Sequence, residues 1–128
     1  MKAIFTLLIA FLITNCSSNN MKPTDFKDQK PRLIIEDYLS GNVKAWGILQ
    51  NRSGKVIRQF SADLSGKWDG KQLILDEKFN WDDGEVQKRQ WKINKIDEHH
   101  YEGTAGDVVG KAKGFSYGPA FKLSLIHI

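Results

Sequence analysis

Cysteine occurs once in the 128 residues, at Cys16. A lone thiol cannot close an internal disulfide, so a disulfide-stapled scaffold is excluded and the thiol needs another use. No Lys/Arg cluster reads as a nucleic-acid footprint. The 19 basic residues are interspersed with 15 acidic ones, so the formal charge of +4 decides little about partners. There is no ordered Ser/His/Asp set, nucleophile elbow or phosphate loop. His99 and His100 are adjacent, which sends them to opposite faces of a strand and makes a poor metal pair. Asp82-Asp83-Gly84 lacks the oxygen-ligand series of a calcium loop and reads as a hairpin turn. No cofactor is called for. Helical periodicity is weak throughout, and residues 33–39 offer one short helix or a first strand.

What is present begins at the amino terminus. Met1-Lys2 is followed by an apolar run over residues 3–13, the length of a secretory hydrophobic core and too short to span a bilayer well. It ends on Ile13-Thr14-Asn15-Cys16. The arrangement resembles a bacterial lipoprotein signal. That implies removal of residues 1–15 and acylation of Cys16, with the membrane as partner through those chains. Each buried methylene contributes about 0.8 kcal/mol, so several acyl chains anchor stably. Ser17, where the inner-membrane retention signal of such proteins has Asp, implies the outer membrane, facing the periplasm. An ordinary secretory leader with an incidental Cys16 is the alternative. Residues 16–31 are polar, hold Pro23 and Pro31, and read as a flexible tether with Phe26 available to dock.

Beyond the tether, Gly/Asn/Asp turns recur at short intervals between alternating segments. Asn51-Arg52-Ser53-Gly54, Ser65-Gly66-Lys67-Trp68-Asp69-Gly70, Asp82-Asp83-Gly84 and Asp97-Glu98-His99 separate runs over residues 43–50, 55–64, 71–81, 86–96 and 101–106. The expectation is an all-β antiparallel up-and-down meander over residues 32–124, curved at Gly47, Gly103, Gly106, Gly110 and Gly114.

Residues 33–41, Ala45-Trp46-Gly47, Arg52-Ser53-Gly54-Lys55-Val56, Gly66-Lys67-Trp68, residues 75–79, Asp83-Gly84, Arg89-Gln90-Trp91 and residues 107–114 together resemble the DUF3833 family. This is a family of bacterial envelope lipoproteins without an assigned activity. The resemblance covers roughly residues 23–123 and implies a small lipocalin-like barrel. It supplies no catalytic residue. Relatives continue through further strands after the region of Tyr117-Gly118-Pro119, whereas residues 125–128 match nothing in that pattern. The expectation is an incomplete β-barrel from a truncated chain, with residues 125–128 a non-native tail and an open, aggregation-prone edge.

Strand alternation puts Arg58, Phe60, Glu77, Phe79, Trp81, Arg89, Trp91, Tyr101 and Asp107 on one face, apolar and aromatic but with one charge per strand. Ionised groups in a low-dielectric interior need partners, and two bases with two acids sum to zero. One reading is a pocket for a small hydrophobic or amphiphilic ligand, with aromatic walls and a few orienting polar groups. The others are a closed ion-pair plug or an inverted register with the charges outside. Trp46 and Trp68 read as core or barrel-mouth packing, with surface contacts as the alternative. Three functions follow: a tethered binding module, a structural or partner-binding lipoprotein without ligand, and an enzyme using Glu77 or Asp107 as general base beside an arginine.

Overall fold

The computed structural model describes residues 20–125. The leader (residues 1–15), Cys16 and residues 126–128 of the expected tail lie outside the described residues. Seven strands follow one another: β1 (Gly41–Gln50), β2 (Val56–Trp68), β3 (Gln72–Trp81), β4 (Val86–Lys95), β5 (His100–Ala105), β6 (Ala112–Tyr117) and β7 (Ala120–Leu125). Each pairs antiparallel with the next in one sheet, in chain order. β1 and β7 are not paired with each other, so the meander is a curled half-barrel. Leu125, placed in the tail by sequence, ends β7 opposite Ala112.

Alternation drives the strands as expected. On β4, Trp91 and Ile93 are buried while Gln90, Lys92 and Asn94 are exposed. The turns are built by their own side chains. Asn51 Oδ1 accepts from the Ser53 and Lys55 backbone amides, and Asp69 Oδ1 does the same for Lys71 and Gln72. Gly84, at φ +88°, closes the β3–β4 turn in a region that side chains with a Cβ avoid.

The core sits at one end of the sheet. Leu73, Leu75, Trp91, Ile93, Tyr101 and Ala112 pack around Ile35 of α1 (Ile35–Tyr38), with Leu33, Leu39, Trp68, Phe121 and Leu123 at its margin. So residues 33–39 supply a helix, not a strand. Gly66 belongs to β2 and not to a turn: a Cβ there would collide with the Leu39 carbonyl oxygen, so α1 lies directly on the sheet. Glu36 anchors the same contact. It is 4 % exposed, accepts a 2.6 Å hydrogen bond from Tyr101 Oη, and pairs with Lys95 Nζ. Within the expected tether, Pro23–Phe26 forms a 3-10 turn near Gly118 of the β6–β7 turn, and the Leu33 amide donates to the Gly118 carbonyl (2.9 Å).

Candidate functional site

The end of the sheet away from α1 holds the charged and aromatic positions. Register brings Val43 opposite Leu64, Leu64 opposite Glu77, and Glu77 opposite Arg89, one row across β1 to β4. A groove of about 650 Å³ is lined by these four residues and their chain neighbours. Its volume is in the range of small-ligand sites. Above the row, on the same face, Phe60 meets Phe79 and Trp81 edge-on at centroid distances of 5.1 and 5.2 Å. Gly47 lies opposite Phe60, where a Cβ would strike the phenyl ring. That glycine makes room for an aromatic wall rather than a bend.

The four charged positions form two separate groups, not one network. Arg58 is held by the β3–β4 turn, its NH2 2.8 Å from Asp83 Oδ2 and 2.7 Å from Glu85 Oε2. Its guanidinium lies 3.9 Å from the Trp81 ring centroid, a cation–π contact. Arg58 and Glu77 are not partners. Glu77 pairs in register with Leu64, six residues along β2 from Arg58, or about 20 Å at strand rise. The second group is Glu77, Arg89 and Asp107. Arg89 donates through Nε to Asp107 Oδ2 at 3.1 Å, and its NH2 lies 3.0 Å from the same oxygen. Asp107 sits in the turn after β5, one step beyond the strand expected to carry it.

Arg89 gives its hydrogen bond and ion pair to Asp107, and Glu77 is left incompletely satisfied: its Oε2 is buried without a hydrogen-bond partner. Burial pushes the carboxyl up to about 7, raised further by Asp107 and only partly offset by the Arg89 charge and the Trp91 indole. Near neutrality such a group exists in both forms, able to donate or accept a hydrogen bond with whatever occupies the groove. Trp91 bridges core and site, its indole reaching Glu77 and its ring lying under Arg89, whereas Tyr101 belongs elsewhere. Both are buried in the core, and Tyr101 spends its hydroxyl on Glu36, which with burial raises its pKa.

Sequence reasoning missed three groups. Asp83 and Glu85 were visible only as turn residues, and the turn acids two and four residues past Trp81 were the available signal. Glu36 was the other, an acid inside the apolar run of residues 33–39. His99 and His100 do diverge: His99 Nδ1 lies 2.8 Å from the Ser116 carbonyl oxygen, and His100 Nδ1 lies 2.7 Å from Asp97 Oδ1. Trp68 packs at the core margin, but Trp46 does not. It is 76 % exposed on the outer side of β1, because its inward neighbours Ala45 and Gly47 take the concave positions.

Over residues 10–126 the sequence matches the family described as protein of unknown function (DUF3833). The chain belongs to the DUF3833 family. No curated protein and no solved structure matches this DUF3833 chain. The geometry of its groove and aromatic wall therefore carries the functional argument on its own.

Proposed function

We propose that this DUF3833 protein is a membrane-anchored periplasmic lipoprotein whose half-barrel binds a small hydrophobic or amphiphilic envelope molecule on its concave face. The observation carrying the binding claim is the groove over Val43, Leu64, Glu77 and Arg89, open beside the Phe60–Phe79–Trp81 wall, with an unpartnered Glu77 oxygen in it. Apolar walls with one or two convergent polar groups suit a molecule with a greasy body and a single polar end. The address rests on the leader pattern of residues 1–15 and on Cys16, whose acylation holds the domain near a bilayer.

Titration with an environment-sensitive fluorescent amphiphile tests the binding claim. Saturable binding at one site is expected, abolished by Leu64→Trp, which fills the groove, and unchanged by Trp46→Ser on the outer side. Equal binding to the Leu64→Trp protein, checked as folded by circular dichroism, contradicts it.

A further inference from the structure

The β1–β2 hairpin outruns the rest of the sheet. β2 pairs with β3 only from Phe60 onward, whereas β1 and β2 stay paired through Leu49 with Arg58 and Gln50 with Val56. Residues 48–58 thus form a two-stranded arm beyond the third strand. Its tip is stiffened by Asn51, and Gly54 takes φ +83° in the turn.

The arm departs from polar/apolar alternation where it is exposed on both sides. Ile48-Leu49 and Val56-Ile57 are consecutive apolar pairs, and neighbours on a strand face opposite ways, so both sides of the arm are apolar. The register shift after Leu49 leaves Ile57 opposite no β1 residue. Ile48 is 54 % exposed and Ile57 52 %. With Leu49, Val56 and Trp46 they make five of the eleven exposed large hydrophobics among the described residues. Exposed apolar surface so concentrated marks an interaction site.

Charge says what covers it. From residue 38 to residue 62 there is no acid, and the bases are Lys44, Arg52, Lys55 and Arg58. Arg52 and Lys55 sit on the tip and make no ion pair among the described residues. The antiparallel meander brings the turns at residues 51–55, 82–85 and 106–111 to the same end. Val109 of those turns and Val86 at the start of β4 add exposed apolar surface. Arg58 offsets one of the two carboxylates it contacts, Asp83 and Glu85, and Arg89 pairs with Asp107. Asp82 makes no ion pair among the described residues, so the basic charge belongs to the arm itself.

We infer that the β1–β2 arm is a membrane-docking element: Ile48, Leu49, Val56 and Ile57, with Trp46 at the base of the arm on the outer face it shares with Ile48, enter the interfacial layer of a bilayer while Arg52 and Lys55 meet anionic headgroups. Tryptophan with flanking bases is the chemistry of an interfacial anchor. Docking in this orientation turns the aromatic end of the concave face toward the lipid. It does not depend on a ligand, and would hold were the groove empty.

The test is quenching of tryptophan fluorescence by acyl-brominated lipid. The full chain is reconstituted in phosphatidylcholine vesicles with and without phosphatidylglycerol. A quenched component that Trp46→Phe removes, and that grows with phosphatidylglycerol, is expected. Arg52→Gln with Lys55→Gln, remote from any packing, weakens the arm's equilibrium with the anionic surface by about fivefold per base removed. Ile48→Asp with Ile57→Asp abolishes the component. Quenching that is the same in the Trp46→Phe protein, or indifferent to phosphatidylglycerol, overturns the inference. Cross-linking of the arm to a protein or to a second copy while Trp46 stays unquenched also overturns it.

Discussion

Glu77 gives the site a pH signature that can be worked out in sign. Its folded pKa, raised from 4.5 to about 7, means that the folded state holds a proton which the unfolded state releases. Between about pH 4.5 and pH 7 this group alone therefore makes the protein less stable as pH rises, and above that window the loss is complete. At about 1.4 kcal/mol per pKa unit the ceiling is about 3 kcal/mol. Partial access to solvent reduces that to about 2 kcal/mol. Glu77→Gln is expected to remove the dependence, as read by urea melts across that range. An identical pH slope in the variant contradicts the assignment. Glu36 acts in the opposite direction. Burial would raise its pKa, but the hydrogen bonds from Lys95 and Tyr101 outweigh it and hold the carboxyl below its ordinary 4.5. Its contribution is present above that value and lost as pH falls through the folded pKa. Arg58 and Glu77, far apart along β2, are expected to show additive effects in a double-mutant cycle. A measurable coupling would restore the single network that sequence suggested.

Among the elements, α1 is the one whose placement decides which end of the half-barrel is filled. Ile35 caps the core and Glu36 ties it to β4 and β5, so the concave space remains at the other end. Tyr101→Phe leaves the buried Glu36 oxygen without its donor and is expected to cost about 1–3 kcal/mol in urea unfolding. Leu73→Ala, in the most buried part of the core, is expected to cost about 2–5 kcal/mol. A cost below about 1 kcal/mol for either would place the core elsewhere. The strands were legible because alternation is a local signal: the runs expected at residues 71–81 and 86–96 are β3 and β4 to within a residue. The turn expected at Ser65-Gly66 is strand because Gly66 answers to a tertiary contact, the approach of Leu39. Partners for charges are a matter of register. The sequence places Arg58 and Glu77 on one face but does not say that Asp83 and Glu85 reach back to Arg58.

At the scale of the molecule, the meander makes a half-barrel whose two ends differ in kind, one packed around α1 and one open, aromatic and charged. That division was not readable from composition, because both ends draw on the same alternating pattern. Only α1 distinguishes them. The proposed anchor is tested separately from the fold. Cys16→Ala is expected to leave the chain extractable from membranes at high salt, where attraction between the basic arm and lipid is screened. Retention there contradicts acylation as the anchor. The most direct measurement of the binding claim is native mass spectrometry of the protein extracted gently from its own membranes. The account predicts a retained apolar or amphiphilic mass that is absent from the Leu64→Trp protein. An unliganded mass for the wild-type chain, or the same adduct on both proteins, would contradict it.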